Sequence, residues 1–362
     1  MTKRLWFFLT LLLLVPVVAV AGVSVGQVTL SPLEAARLLW ESLTCRGPAL
    51  SLADPPKVAP AVLIVRDLRL PRLLLGLMVG GALAVSGSVL QALFRNPLAD
   101  PYVLGVSAGA ALGATAGLVF QVPLAVRTGL PPVPTLAFLG AAGATALVYL
   151  LARGASPRGS GGSRISRFGQ RGPTRLLLAG IAVSALLSAG VSLLLFFGTR
   201  NPGTVVVWLM GGLAGRGWES VQLAWPYLAL GLLLVGWCAR DLNLLAMGEE
   251  TAYHLGAEPA RLETLVVFGV TLLTAAAVAV SGLIGFVGLI VPHLVRYFTG
   301  PDHRFVLPGA FLLGGTFLAA ADILARVVLA PAELPVGIVT ALCGGPFFLY
   351  LLYRSGEAGT DV

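Results

Sequence analysis

The chain has 362 residues, of which 57% are hydrophobic and only 11% are charged, and its mean hydropathy is +0.91. Soluble domains carry about 25% charged residues, so this composition excludes a soluble enzyme, a disordered chain and a disulfide-stapled secreted module. Because a membrane-spanning helix needs about 20 mostly apolar residues, the sequence predicts one all-α polytopic membrane domain over residues 1–362, with about ten transmembrane helices.

The net charge of +8 is distributed unevenly along the chain. No acidic residue lies between Asp100 and Glu219, while residues 153–173 contain clustered arginines among glycines and serines. Clustered arginines between apolar runs are typical of the inner side of a membrane protein. We therefore interpret 153–173 as a flexible basic cytoplasmic loop and expect no nucleic-acid binding.

Residues 1–25 begin with Lys3-Arg4 and continue as an apolar run. The run fits either a signal peptide cleaved after Ala19-Val20-Ala21 or an uncleaved first transmembrane helix. We favour the helix, because the run is long enough to span a bilayer.

The remaining apolar runs follow a polar external segment at 27–69. A connection at 199–221, which contains Asn201-Pro202-Gly203, is interpreted as external and partly re-entrant. Ten spans would leave both termini in the cytoplasm and make a multi-pass protein of the cytoplasmic (inner) membrane. The predicted spans after the first are 71–93, 102–120, 132–152, 174–198, 222–240, 264–282, 283–298, 305–329 and 336–354.

Two similar hexapeptides suggest an internal repeat. Residues 82–87 read Ala-Leu-Ala-Val-Ser-Gly and residues 277–282 read Ala-Val-Ala-Val-Ser-Gly, five predicted spans apart. An odd separation reverses the orientation, so a true repeat would be inverted, as in many transporters. A chance match of small residues is the alternative.

Charged residues in or beside the spans are the candidates for function. Arg69 and Arg72 flank Pro71, which predicts a helix start, where the helix dipole disfavours cations. They fit either docking of an acidic partner or snorkelling at the interface. Asp322 lies four residues before Arg326, so an intrahelical ion pair is the simpler explanation of this intramembrane acid.

The loop 241–263 is the largest polar segment on the arginine-rich side. Gly248 to Gly256 reads as a short helix with acids in its first turn, and Glu258-Pro259 predicts a second helix start. Two short helices would form a rigid knob that a cytoplasmic partner grips. A helical hairpin cap without a partner is the alternative.

Enzymatic and metal chemistry have no candidate residues in the sequence. The three cysteines and three histidines lack metal-ligand spacing, so we expect no metal site and no catalytic residue. The only lysines are Lys3 and Lys57, so the chain has no phosphate-binding loop that ends in Lys and Ser or Thr.

Several motifs in order resemble the FecCD-type permeases, the membrane subunits of type II ABC importers for ferric siderophores, haem and cobalamin. The resemblance covers about residue 60 to 354. It is carried by Arg69-Leu70-Pro71-Arg72, Asn96-Pro97-Leu98-Ala99-Asp100-Pro101, Trp208-Leu209-Met210-Gly211-Gly212, Gly248 to Gly256, Gly285-Phe286 through Pro292-His293, and Glu333-Leu334-Pro335.

This resemblance implies a type II importer fold, a homodimer in the lipid membrane, two cytoplasmic ATP-binding subunits and an extracytoplasmic substrate-binding protein. It implies that ATP is used by the partner subunit and that this chain binds no cofactor. It assigns docking of the binding protein to Arg69, Arg72 and Arg326, and the inner mouth of the pathway to Asn96 and Leu98. Contact with the ATPase is assigned to Gly248, Glu249, Glu250, Ala252, Tyr253, His254, Leu255 and Gly256.

The expected function is therefore the permease of an ATP-driven importer for an iron complex, with a ferric siderophore favoured over haem or cobalamin. Two other classes remain open on the sequence. An ion-gradient-driven secondary transporter needs an ionisable group within the membrane, for which only Asp322 qualifies. A membrane-embedded enzyme needs clustered polar groups, which the spans lack.

Overall fold

The computed structural model describes residues 2–26, 29–44, 60–121, 129–154, 172–198 and 202–357. Within these ranges the regular structure is entirely helical. The helices in chain order are α1 (Thr2–Ser24), α2 (Pro32–Thr44), α3 (Leu70–Leu93), α4 (Val106–Phe120), α5 (Pro132–Gly154), α6 (Gly172–Gly198), α7 (Pro202–Leu209), α8 (Trp218–Trp237), α9 (Ala239–Ala246), α10 (Glu249–His254), α11 (Pro259–Ser281), α12 (Val287–Thr299), α13 (His303–Val327) and α14 (Val336–Glu357).

The ten predicted spans all correspond to helices in the described part of the chain. Eight are long and apolar enough to cross a membrane, and two, α4 and α12, are shorter apolar helices. The all-α polytopic architecture is therefore confirmed.

Glycines bring the central helices into backbone contact. A Cβ atom on Gly80 of α3 would meet the carbonyl oxygen of Gly314 of α13, and one on Gly87 would meet that of Gly288 of α12. Gly109 of α4 and Gly140 of α5 face each other in the same way. Because lipid supplies no hydrophobic force between helices, such close packing of small residues is what holds a membrane bundle together.

The segment before α3 differs from the prediction. Residues 60–93 are helical throughout, since Pro60–Leu63 and a π-helical segment, Ile64–Arg69, lead directly into α3. Arg69 and Arg72 therefore lie inside a continuous helix and not at a helix start, so the predicted dipole penalty was wrong. The predicted polar segment 27–69 also contains the amphipathic helix α2.

The loop 241–263 differs in a related way. Glu258 does precede a helix with Pro259 in its first turn, but that helix is the long α11 and not a second short one. The apolar residues before Gly248 form α9, whose Leu242 and Leu245 are buried. The loop thus contains α9, α10 and the first turn of α11.

The two hexapeptides lie on α3 and α11. Arg72 at the start of α3 and Ser281 at the end of α11 line one cavity, so the two helices run in opposite directions, as an inverted repeat requires. Their local structures differ, because α3 continues through Gly87 whereas α11 ends before Gly282, which has φ +70°. The repeat stays a prediction. Most of the predicted loop 153–173 lies outside the described residues.

Candidate functional site

The predicted docking arginines form one cluster with two carboxylates. Arg72 donates from Nε to both carboxylate oxygens of Asp322, at 3.1 and 3.0 Å, and from Nη2 to Oδ1 at 2.9 Å. Its Nη1 donates to Glu333 Oε2 at 2.9 Å. The predicted pair of Arg326 with Asp322 is present at 3.2 Å, so Asp322 holds two arginines at once.

The carbonyls at the end of α1 complete the cluster. Arg326 Nη1 donates to the carbonyl oxygens of Gly22 and Val25, at 3.1 and 3.0 Å. Arg69 donates to the carbonyls of Val23 and Ser24. The last carbonyls of a helix lack partners within the helix and carry partial negative charge, so they are suited to guanidinium donors.

The side chains of the cluster are mostly buried, so the cluster is a structural element of the fold. The side chains of Asp322, Arg326 and Arg72 are 4%, 8% and 13% exposed. The sequence predicted the pair of Asp322 with Arg326, but it missed both carboxylates that contact Arg72, Asp322 and Glu333. The docking role of Arg69, Arg72 and Arg326 stays a prediction.

The loop that holds α10 lies at the other end of the bundle. The start of α8 is fixed near the cluster, where Trp218 Nε1 donates to the carbonyl oxygen of Arg66 at 2.9 Å. The 20 residues of α8 extend about 30 Å from that point and lead into α9 and α10. We call these two ends the arginine-cluster end and the loop end.

At the loop end, α10 displays side chains for contact. Gly248 and Gly256, with φ +118° and +87°, bound the helix in conformations that glycine adopts without strain. Ala252 is fully buried, whereas Tyr253 and Leu255 are about half exposed. His254 and Glu250 are also exposed, and partial burial raises the pKa of Glu249, an effect that Arg95 opposes. A short helix with exposed aromatic and apolar groups is suited to a protein partner.

A polar junction that the sequence did not reveal ties this loop to α13. Asn243 of α9 donates to Asp302 Oδ1 at 2.7 Å and accepts from the backbone N–H of His303 at 2.9 Å. Asp302 also caps α13 by accepting from the N–H of Arg304, and this bond lowers the pKa of Asp302. The same helix carries Asp322 and Arg326 to the arginine-cluster end.

The predicted inner-mouth residues lie in a tight turn between α3 and α4. Asn96 is exposed and its side-chain oxygen accepts from the N–H of Leu98 at 2.9 Å. Asp100 accepts from the N–H of Tyr102 at 2.9 Å, and burial raises the pKa of Asp100 to about 6. Their role at a pathway mouth stays a prediction.

The hydroxyl of Tyr102 bridges a break between α11 and α12. It accepts from the N–H of Ile284 and donates to the carbonyl oxygen of the same residue, both at 2.9 Å. Gly282 and Phe286 have φ of +70° and +69°, so the helix cannot continue here. The sequence put the boundary between two spans at 282–283, where this break begins, and Pro292 lies inside α12.

We expect Tyr102→Phe to lower stability by about 1–3 kcal/mol, because it leaves a buried N–H and C=O without partners. Thermal unfolding in detergent would measure the change. Tyr253→Phe is the matched control, since Tyr253 is about half exposed. Equal unfolding midpoints for both variants would contradict the bridging role of Tyr102.

The sequence and the architecture are similar to those of proteins of known type. The sequence model of the FecCD transport family matches residues 11–354, nearly the whole chain. The chain belongs to the FecCD transport family. The resemblance noted from the sequence motifs is thereby confirmed.

Relatives within this family span several cargoes. The cobalamin import permease BtuC of Halobacterium salinarum is 44% identical over 321 residues, covering 89% of this chain and 81% of that protein. The hemin transport permease HmuU of Yersinia pestis is 43% identical over 302 residues, covering 80% and 83%. The Fe(3+)-citrate import permease YfmD of Bacillus subtilis is 40% identical over 293 residues, covering 80% and 81%.

A solved structure gives the same fold. A metal-chelate type ABC transporter in an inward-facing conformation superposes with a TM-score of 0.77 at 34% identity, covering 96% of this chain and 98% of that chain. This FecCD chain is therefore a multi-pass permease subunit of an ABC importer for iron complexes, haem, cobalamin or a similar cargo in the inner membrane.

Proposed function

We propose that the chain forms a homodimeric permease that imports a ferric siderophore, with ATP hydrolysed by two cytoplasmic partner subunits. The observation that carries this proposal is the separation of its two contact regions. A cationic cluster lies at one end of the bundle, and an exposed short helix between two glycines lies at the other. A substrate-binding protein would dock at the first and the ATPases at the second.

Charge supports this assignment of sides. Arg153, at the end of α5, donates to Thr264 Oγ1 near the start of α11 at 3.0 Å, so the arginine-rich segment adjoins the loop end. By the positive-inside rule, this supports the proposal that the loop end and both termini lie in the cytoplasm. The arginine-cluster end faces the extracytoplasmic side.

The same geometry supports separate roles for the ATPases and for this chain in transport. The ATPases would move α10, and the junction of Asn243 with Asp302 and His303 would pass that movement to α13. Alternating access would follow from helices that shift as packed bodies. This chain would bind no cofactor and would hydrolyse no ATP.

The identity of the cargo is the most specific part of the proposal. Large chelates are selected mainly by the binding protein, so the permease residues favour no single ligand. We propose a ferric siderophore because an Fe(3+)-citrate permease is among the similar proteins. Haem and cobalamin are the alternatives.

An uptake experiment in cells separates these cargoes. The gene for this chain would be deleted. Accumulation of ⁵⁵Fe-siderophore, haem and labelled cobalamin would then be compared between the deleted cells and complemented cells. We expect only siderophore uptake to fall. A selective loss of haem or cobalamin uptake would show that this compound, and not a siderophore, is the cargo. Supplying candidate binding proteins one at a time would identify the partner.

The ion-driven alternative has less support in the structure. Asp322, the intramembrane acid that the sequence offered for this role, is held by both Arg72 and Arg326. Both oxygens of this carboxylate already contact guanidinium groups, so it has little capacity left to bind a transported ion. This reasoning favours ATP as the energy source.

A further inference from the structure

Three helices meet in a corner at the loop end, where the first turns of α1 pack against the end of α12 and the start of α13. The ring of Phe7 of α1 stacks on that of Phe298 of α12, with centroids 5.3 Å apart. The guanidinium carbon of Arg4 lies 4.7 Å from the centroid of the Phe305 ring of α13. A Cβ atom on Gly300, between α12 and α13, would lie 3.3 Å from Arg4 Nη2. Packing therefore holds Arg4 in this place, which we call the α1 corner.

Arg4 shares the α1 corner with Arg304 and Asp302. The pKa of Asp302 is lowered, first by the hydrogen bond from the N–H of Arg304, then by that from Asn243 and by the positive charges of Arg304 and Arg4. Both guanidinium groups therefore lie close enough to this carboxylate to act on it. Lys3 adjoins Arg4 in the sequence and is exposed.

The α1 corner has more positive than negative charge. Asp302 Oδ1 already accepts from Asn243 and from the backbone N–H of Arg304. Within the described part of the chain, the side chains of Lys3, Arg4 and Arg304 form no ion pair and donate no hydrogen bond. Three cations against one carboxylate leave a net charge of about two positive units. The guanidinium donors of Arg4 and Arg304 are thus available to an anion.

Aromatic side chains border these charges. Tyr297 is 80% exposed and Trp6 is 68% exposed. The ring of Tyr297 stands nearly perpendicular to that of Phe298, with centroids 5.1 Å apart. Because tryptophan and tyrosine are enriched where lipid headgroups meet hydrocarbon, these side chains place the α1 corner at the level of the headgroups.

An apolar face continues from the α1 corner along α1. Leu5, Leu9, Leu12 and Leu13 are all exposed among the described residues. Hydrocarbon chains suit such a face, whereas the charges above it suit an anion. A group that fits both parts carries a negative headgroup on apolar chains.

We propose that the α1 corner binds an anionic phospholipid, whose phosphate lies between Arg4 and Arg304 and whose acyl chains follow the exposed leucines of α1. Charge complementarity identifies the headgroup, since basic side chains beside a membrane span attract anionic lipid. Arginine also donates to two phosphate oxygens at once. The lipid would hold α1 against α13, beside the junction of Asn243 with Asp302. The site depends neither on the cargo nor on the energy source.

Native mass spectrometry of the complete transporter in detergent tests the site. Phosphatidylglycerol and phosphatidylcholine with the same acyl chains would be titrated separately. We expect the double variant Arg4→Gln, Arg304→Gln to weaken the tightest phosphatidylglycerol binding by about tenfold or more, because two cations beside the headgroup are lost. Binding of phosphatidylcholine should not change. Lysines at both positions should retain most of the affinity, since an ammonium group also pairs with phosphate.

A matched control removes the same charge elsewhere at the loop end. Arg153 and Arg261 lie on two other helices, α5 and α11, and both are exposed. Arg153→Gln with Arg261→Gln should change phosphatidylglycerol affinity less than twofold. An equal loss in both double variants would show that net charge and not the α1 corner attracts the lipid, which would overturn the proposal.

Thermal unfolding separates lipid binding from a fold defect. Without added lipid, Arg4→Gln with Arg304→Gln should unfold at the wild-type midpoint, because neither side chain has an acidic partner within 4 Å among the described residues. Phosphatidylglycerol should raise the wild-type midpoint and leave that of the double variant unchanged. Inorganic phosphate that raised the wild-type midpoint as much as the lipid does would overturn the proposal.

A protein partner is the other occupant that the test recognises. If the double variant kept its phosphatidylglycerol affinity but lost the ATPase subunits, the α1 corner would be a protein contact and the lipid site would be overturned. None of these outcomes alters the proposed function, which the uptake experiment tests separately.

Discussion

Replacing Asp322 by asparagine is expected to destabilise the folded chain by about 3–5 kcal/mol, because it removes the counter-ion of two buried arginines. Arg72 and Arg326 both contact this carboxylate, and neither side chain is more than 13% exposed. The remaining carboxylate, Glu333, contacts Arg72 and is 30% exposed. Thermal unfolding in detergent, with the folded fraction checked by size exclusion, measures the loss.

A partly exposed ion pair provides the control. Arg37 and Glu41 of α2 are four residues apart at 2.9 Å, with side chains that are 74% and 16% exposed. Glu41→Gln should cost less than about 0.5 kcal/mol, since water screens such pairs. If Asp322→Asn were as mild as Glu41→Gln, the cluster would not be the structural element described above. The double variant Asp322→Asn, Arg72→Gln should cost less than the sum of its parts, because the two residues interact directly.

Replacing Gly87 by alanine is the second large effect that we expect. The new Cβ would coincide with the backbone carbonyl of Gly288, and backbone cannot rotate away as a side chain can. The helices α3 and α12 would have to separate, which costs about 1–3 kcal/mol or more. We expect little folded protein, measured as the monodisperse fraction after membrane extraction.

Gly143 is the matched control for this substitution. It lies inside α5, and no atom lies within 4 Å of the position that its Cβ would occupy. Gly143→Ala should leave the yield unchanged or raise stability, because alanine favours the helix by up to about 1 kcal/mol. Similar yields for the two variants would show that α3 and α12 do not pack as closely as described.

The sequence was sufficient to predict where the chain crosses the membrane. Length and hydropathy located all ten helices, because the bilayer requires about 20 apolar residues for a full span. They also put the boundary between two spans at 282–283, beside the break between α11 and α12, but they could not show which residue holds that break together. The bridge to Ile284 depends on Tyr102, 182 residues away in the chain.

The candidate site was predicted in part for similar reasons. Asp322 and Arg326 are four residues apart, so their pairing follows from helix geometry. The contact between Arg72 and Glu333 joins residues separated by 261 positions, and no local pattern encodes it.

The most direct test of the account is uptake into proteoliposomes that contain the purified chain, its ATPase subunits and the external binding protein. We predict that cargo accumulates only with ATP on the side of Gly248–Gly256 and binding protein on the side of Arg69. The purified chain alone should show no ATPase activity. Uptake that persists with an inactive ATPase and collapses when ionophores dissipate the ion gradient would contradict the account.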